Sequence, residues 1–476
     1  MINLWDFQDK NLAQVDDYFS HGGNALLLQQ PTGTGKSLVS VEFINRRREQ
    51  RKPVYFVTHS KSLLWQFSDH LTEFGLPHGI VAPGCPTLRY RIQVISAASL
   101  KTRMHMLDEP EFLIFEEAHH STTAMFTDIL KLWPKAKLLG LTATPNRPDG
   151  TPLSMYEKII VSPGVRWFID NCYLADFDYY IPCEFNTTGI HRSKGDFRNS
   201  ELTERAKEDK KRIGNLVEYY EKYTTGLPGI AFGTSIADSE EIADRFCLSG
   251  YNMKAIHSKS TDPIKETLDK CRTGEQPLIS SCDMIGEGVD VKGLTVDIDA
   301  RPTDSVVVQI QHWGRVLRAK YAPGHDLSTL AGRRDAMEEG GKGNAKLLDF
   351  SSNYLRHGLP DDEREWSLDG KVKEKAECLY KRCPNCQRPI RRLLMICPEC
   401  GYEFPRLEIS QEETPEREGE LVHINDLKRA DRNGLTLLIM RQAESMKDAV
   451  RIAQKAGANA QAAWYVWHII MGKSLK

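Results

Sequence analysis

Eight consecutive residues, Gln30-Pro31-Thr32-Gly33-Thr34-Gly35-Lys36-Ser37, separate an apolar run (Ala25 to Leu28) from an amphipathic one (Leu38 to Ile44). Glycines in a strand-to-helix turn let successive backbone N–H groups curl around a polyphosphate, a lysine reaches its β- and γ-phosphates, and a serine hydroxyl ligates Mg²⁺. A nucleoside triphosphate is the expected ligand, with Thr32, Gly33, Thr34, Gly35, Lys36 and Ser37 around it. Gln30 stands where the eight-residue pattern opens on glycine, so the match is incomplete. A second apolar run, Phe112-Leu113-Ile114-Phe115, ends in Glu116-Glu117-Ala118-His119. Two adjacent carboxylates at the end of a parallel strand suit hydrolysis of a γ-phosphoryl group: Glu116 for the Mg²⁺ shell, Glu117 to orient or deprotonate water.

A separate chemistry is written near the C-terminal end, where Cys383 and Cys386 are followed, after ten residues, by Cys397 and Cys400. Two Cys-x-x-Cys knuckles at this separation suit tetrahedral Zn²⁺. From Lys381 to Arg392 there are five basic residues and no acidic one, so Arg388, Arg391 and Arg392 are candidates for a phosphate backbone. The competing reading is a structural staple for a segment too small to own a core.

These residues need elements to hold them. Between residue 24 and about 145, short apolar runs alternate with helical patterns, predicting strands near Ala25–Gln29, Val54–Thr58, Gln93–Ile95, Phe112–Phe115 and Leu138–Leu141. A second series follows a charged helix from about Glu201 to Tyr223, with strands near Gly229–Phe232, Met253–Ile256, Leu278–Ser281, Val296–Asp299 and Lys346–Leu348. Such alternation means mostly parallel sheets covered by helices, here two α/β domains, 1–190 and 191–370. The glycine- and charge-rich segment Ala319 to Asn344 reads as a long loop or partly disordered insertion. A zinc ribbon (381–404), an acidic linker (405–420) and a helical tail (421–476) complete the expected order.

Bulk composition mainly excludes. A net charge of -2 means that any nucleic-acid binding comes from local basic surfaces. With no uncharged apolar stretch near the ~18 residues needed to span a bilayer, the sequence predicts a cytoplasmic protein without membrane contact. Eleven cysteines, four of them in the two knuckles, suggest metal binding plus buried thiols rather than a disulfide scaffold.

After the strand near Leu138–Leu141 the chain continues Thr142-Ala143-Thr144-Pro145, then Arg147 and Asp149-Gly150. With the phosphate loop and Glu116-Glu117-Ala118-His119, this resembles motifs I, II and III of superfamily 2 helicases. The Thr-Ala-Thr-Pro element with a following Asp-Gly resembles the DNA-directed branches. Asp283-Met284-Ile285-Gly286-Glu287-Gly288-Val289-Asp290 resembles motif V, and Gln311-His312-Trp313-Gly314-Arg315-Val316-Leu317-Arg318 matches motif VI. The resemblance covers roughly residues 1 to 370, most closely like bacterial and phage repair and recombination helicases with a C-terminal zinc ribbon. It implies two RecA-like domains and nucleotide contacts from Gly288 and Asp290. It also implies that Arg315 and Arg318 act as arginine fingers, supplied by the second domain so that hydrolysis depends on closure.

Leu4-Trp5-Asp6-Phe7-Gln8 resembles the family's adenine-reading element, with Phe7 near the base and Gln8 on its edge; Trp5 replaces the usual arginine. Thr58 and Ser60, Ser96, and Thr234 fall in elements resembling those that contact the nucleic-acid backbone. Motif II departs from the family in opening on Glu116 rather than aspartate. Mg²⁺ retains waters, so a longer acid can still bind through its shell.

The sequence therefore predicts an ATP-dependent, Mg²⁺-using DNA helicase or translocase that works in repair, recombination or replication on single-stranded, duplex or branched DNA and carries Zn²⁺. Two alternatives stand beside it: an RNA-dependent unwinding ATPase, and an ATP-gated DNA-binding or annealing module without motor activity.

Overall fold

The computed structural model describes residues 3–120, 124–147, 150–182, 185–193, 195–208, 212–260, 264–273, 275–282, 293–369, 380–404 and 450. The acidic linker and nearly all of the helical tail lie outside them, as do Asp149, Gly288 and Asp290.

The first lobe is built on a seven-stranded sheet: β1 (Ala25–Gln29), β2 (Val54–Thr58), β3 (Gly79–Val81), β4 (Ile92–Ser96), β5 (Phe112–Glu116), β6 (Lys137–Thr142) and β7 (Lys158–Val161). Their order is β3-β4-β2-β5-β6-β1-β7, and the pairs are parallel. The strands read as continuous apolar runs because helices cover both faces. Alternate residues serve opposite cores: Leu26, Leu28, Val54, Phe56, Phe112 and Ile114 fill one side. Leu27, Tyr55, Val57, Leu113 and Phe115 fill the other. Short β3 and β7 carry too few apolar residues to announce themselves in sequence.

The second lobe holds six strands in the order β12-β13-β11-β14-β15-β8. They are β8 (Phe177–Tyr180), β11 (Gly229–Phe232), β12 (Met253–Ile256), β13 (Leu278–Ser281), β14 (Val296–Asp299) and β15 (Ala345–Asp349). A small hairpin, β9 (Arg192–Ser193) with β10 (Asp196–Phe197), lies between β8 and β11 in sequence. Because β8 belongs to this second sheet, the chain crosses between lobes within 162–176, ahead of the boundary expected at 190.

One further expectation stands and one needs correction. The charged stretch near 201–223 is helical over Asn199–Glu208 and Arg212–Thr224. The supposed loop from Ala319 to Asn344 contains the helix Leu330–Gly340, started by Thr329, whose hydroxyl accepts from the Gly332 N–H at 3.0 Å. Its glycines end that helix rather than loosen it: Gly341 takes the left-handed conformation at φ 66°.

The chain divides into two compact units. One, Met1–Asp178 with Pro182–Asn353 and Leu359–Glu374, contains both lobes apart from the end of β8. The other comprises Tyr179–Ile181, Tyr354–Gly358 and the chain from Lys375 onward. It contains an antiparallel pair, β16 (Tyr380–Arg382) and β17 (Pro389–Arg391).

Candidate active site and metal centre

Strands β5, β6 and β1 are neighbours, so the three segments that follow them emerge side by side. Gln29 is in register with Thr142, and Glu116 with Leu141. From β1 the chain enters the phosphate loop, whose Gly33 and Gly35 adopt φ of 85° and 84°, a region L side chains avoid. Gly35 is also the N-cap of the helix Lys36–Glu49, so the loop's amides and the helix N-terminus point toward the same space. Gln30 replaces a flexible glycine with a brace: fully buried, its amide donates to the Thr34 carbonyl and hydroxyl oxygens, both at 2.9 Å. The Lys36 ammonium is buried and donates to the Gln30 carbonyl at 3.3 Å, folded back over the loop.

Gln8 adds a second brace. Its amide nitrogen donates to the carbonyls of Thr34 (3.0 Å) and Gly35 (3.3 Å), while its oxygen accepts from the Trp5 N–H at 2.9 Å. A Cβ on Gly35 would come within 2.5 Å of that nitrogen, a second reason for glycine there.

The two carboxylates differ sharply. Glu116 ends β5 and is buried; burial, then the charge of Glu117, pushes its pKa up to about 8, making it a weaker acid, with Lys36 pulling the other way. Glu117 turns through a left-handed backbone, φ 49°, which separates the two side chains. One oxygen of each, the Oε2 atoms, is buried without a hydrogen-bond partner. A divalent cation fits this arrangement, since it satisfies orphaned carboxylate oxygens and reverses the cost of burying their charge. His119 lies 3.5 Å from Glu117 and 3.1 Å from the Thr142 hydroxyl, tying the carboxylate segment to the one after β6.

The second lobe reaches this loop through the helix Val306–Val316. A Cβ on Gly314 would strike Thr32 at 2.3 Å, and one on Gly33 would meet Arg318 at 3.1 Å. A glycine of each motif thus faces a side chain of the other, and a cleft of about 610 Å³ is lined by Lys36, Ser37, Glu116, Glu117, Arg315 and Arg318. Residues nearly three hundred positions apart share one cavity.

At its other end the cleft is walled by aromatic rings that sequence reading only half found. Phe7 packs against Phe168 and Tyr173, both at 4.8 Å, and is largely buried where it lines the cleft. The rings that line the cleft with it are Trp5, Tyr173 and Tyr321. Trp5 meets Tyr173 at 5.2 Å and Tyr321 at 6.1 Å, and Arg333 packs on Tyr173 at 4.2 Å. Tyr173 sits in the crossing segment and Tyr321 in the supposed loop, where nothing in spacing marks a binding residue.

The residues expected to touch nucleic acid fare unevenly. Thr58 and Thr234 are buried, the Thr58 hydroxyl accepting from the Ser60 N–H at 3.2 Å and that of Thr234 donating to Asp238 at 3.0 Å. Ser60 caps the helix Lys61–Glu73, its hydroxyl accepting from the Leu63 N–H at 3.3 Å. Ser96 precedes the helix Ala97–Arg103 without a side-chain cap bond. Hydroxyls at strand ends serve the fold first.

In the other unit the four cysteine sulfurs lie within 4.8 Å of one another. Cys383 and Cys400 are 3.6 Å apart, Cys386 and Cys397 3.7 Å. A tetrahedron with metal–sulfur bonds of about 2.3 Å has edges of about 3.8 Å, so the donor set fits Zn²⁺. Of the ribbon's basic residues, Arg388 pairs with Glu399 at 3.2 Å, Arg391 lies over the Tyr380 ring at 4.6 Å, and Arg392 is exposed.

This geometry defines a nucleotide-hydrolysing motor with two lobes. Residues 1–147 match the family of the type III restriction enzyme res subunit, and residues 211–320 the helicase conserved C-terminal domain. A 51.5 kDa protein of a Lactococcus phage (isolate 7-9) is 27% identical over 412 residues, 84% of this chain and 83% of that protein. The DNA 3'-5' translocase XPB2 of Sulfurisphaera tokodaii is 24% identical, over 65% of this chain and 80% of its own. A fragment structure of a putative HsdR subunit of a type I restriction enzyme from Vibrio vulnificus YJ016 shares the fold, with a TM-score of 0.57 and 17% identity. That likeness covers 77% of this chain and 69% of the fragment. The chain belongs to the superfamily 2 helicases, and is an ATP-hydrolysing enzyme of that class. No helix among the described residues is long and apolar enough to cross a membrane.

Proposed function

We propose that this chain is an ATP-driven helicase or translocase that moves on DNA in repair, recombination or replication. The carrying observation is the contact of Gly314 and Arg318 with Thr32 and Gly33, which joins both lobes around one cleft. In this reading Lys36 holds the β- and γ-phosphates, and the loop amides from Gly33 to Ser37 cradle them. Ser37 and Glu116 would hold Mg²⁺, which when bound offsets the charge of the phosphate oxygens. Glu117 accepts the proton of the attacking water, with the His119 Nδ1, bonded to the Thr142 hydroxyl, 3.5 Å from that carboxylate. Arg315 and Arg318 steady the charge on the transferring phosphoryl group, so turnover requires the lobes to be closed. Trp5 and Tyr321 offer the base an aromatic surface, while Gln8 holds the phosphate loop. Zn²⁺ in the four-cysteine cluster would fix the ribbon, whose exposed Arg392 is the residue best placed for a DNA phosphate.

DNA is favoured as the track by a relative named as a DNA translocase and by the Thr-Ala-Thr-Pro element with its Asp-Gly extension. The test is ATPase rate with single-stranded DNA, duplex DNA, forked DNA and RNA side by side. Stimulation by one or more of the DNAs and not by RNA is expected; stimulation by RNA alone, or by none, would overturn the reading.

A further inference from the structure

We infer that Lys342 is a positioning residue for hydrolysis: its ammonium fastens the end of the helix that carries Arg315 to the turn that carries Arg318. The Lys342 side chain is buried and donates to the carbonyls of Val316, at 2.5 Å, and of Arg318. The carbonyl between them, Leu317, accepts from the Ala175 N–H at 2.7 Å. All three carbonyls at this helix end are therefore held, one by the segment that crosses between lobes and two by a single lysine. A cation at a helix C-terminus is favourable, and one that grips residues 316 and 318 together fixes the angle between helix and turn. On that angle depends whether Arg318 reaches the phosphate loop, where its side chain already packs on Gly33.

The segment Ala319 to Asn344 explains how a lysine 24 residues beyond Arg318 comes back to it. It doubles on itself, with the Ala322 N–H donating to the Ala336 carbonyl at 2.8 Å. A Cβ on Gly340 would sit 2.3 Å from the Lys320 carbonyl, so only glycine closes the return. On the way the segment is anchored to the crossing segment by the Tyr321 hydroxyl on the Cys172 carbonyl (2.6 Å) and by Arg333 on the Asn171 carbonyl (2.9 Å). Among the described residues Lys342 has no acidic partner. Burial, then the charges of Arg318 and Lys320, depress its basicity to about 7.

The inference rests on the reading of Arg315 and Arg318 as the groups that stabilise the transferring phosphoryl, so Arg318→Ala is measured beside it. In the full chain, Lys342→Met keeps the buried stem and loses the cation, and Lys342→Arg restores a cation. We expect Lys342→Met to lower kcat about tenfold or more while KM for ATP moves less than about twofold and Tm stays near the parent's. Lys342→Arg should recover part of the lost kcat. If Lys342→Met does not fold, Lys342→Gln, which keeps N–H donors without the charge, is judged by the same split. A folded charge-removing variant with parental kcat, beside an inactive Arg318→Ala, would overturn the inference. So would kcat, KM and Tm declining together with no recovery in Lys342→Arg, which would mark a merely structural lysine. An active Arg318→Ala would instead sink the arginine reading.

Discussion

Both lobes end parallel strands in carboxylates, and they use them in opposite ways. In the first, Glu116 at the end of β5 and Glu117 just beyond it each leave an oxygen buried and unbonded, facing the cleft. In the second, Asp349 at the end of β15 accepts from the Ser351 N–H (2.9 Å) and hydroxyl (2.8 Å) and from the Asn353 N–H (3.2 Å). Asp299 at the end of β14 accepts from Gln309 at 2.7 Å and Asn353 at 3.0 Å. Although burial pushes its pKa up, nearby His312 and the bonds from Asn353 and Gln309 hold Asp299 below the usual carboxylate range. Position at a sheet edge does not make a catalytic acid. What differs is the surroundings: Glu116 and Glu117 line the cleft beside the phosphate loop, whereas Asp349 and the Oδ2 of Asp299 are bonded within their own lobe, the Asp299 Oδ1 staying buried without a hydrogen bond.

The sharpest test of this contrast lies in the cleft. Arg318→Ala and Glu117→Gln should each lower kcat about 10³-fold, with nucleotide binding retained in Glu117→Gln. Single-turnover hydrolysis against nucleotide affinity separates the two quantities. Substantial turnover in Glu117→Gln would assign the base elsewhere and remove half of the comparison.

The same edit on the other lobe should act on the fold. Asp299→Ala removes the acceptor of the buried Gln309 amide, costing about 1–3 kcal/mol, while Asn353 keeps the Gln309 oxygen and the Arg301 carbonyl. We expect a lower urea midpoint, with kcat of the folded enzyme falling less than about tenfold. A kcat loss matching that of Glu117→Gln would place Asp299 in the chemistry and break the contrast.

These regions also differ in how far they could be read from residues alone. The phosphate loop, Glu116-Glu117 and the four cysteines are short contiguous patterns whose chemistry needs fixed spacing, so they were legible. So were the long central strands, because burial on both faces leaves unbroken apolar runs. Tyr173, Tyr321 and Lys342 were not legible: they act through folds of the chain that bring distant segments together, and an isolated tyrosine or lysine carries no spacing. The hydroxyls of Thr58 and Thr234 show the limit of a local pattern, since in the structure each also bonds within its own lobe.

The zinc cluster tests a different kind of independence. Cys397→Ser should release the metal and loosen the ribbon, seen as loss of zinc in elemental analysis and faster proteolysis after residue 380, while basal ATPase stays at the parental rate. A parallel loss of ATPase would mean that the nucleotide lobes need the ribbon to fold.

The smallest effect carries the contrast between spent and unspent groups to the ribbon's surface. Arg388 is paired with Glu399, and Arg391 lies on Tyr380, whereas Arg392 is exposed. Each lysine or arginine that neutralises a phosphate contributes about one unit to the salt dependence of DNA binding. Arg392→Gln should therefore weaken DNA affinity modestly on every sequence and flatten the salt slope by about one, whereas Arg388→Gln should leave that slope nearly unchanged. Titrating duplex DNA over a range of salt measures both. Equal slopes for parent and Arg392→Gln would leave the ribbon as a staple; a larger change in Arg388→Gln would mean that its pairing with Glu399 yields to phosphate.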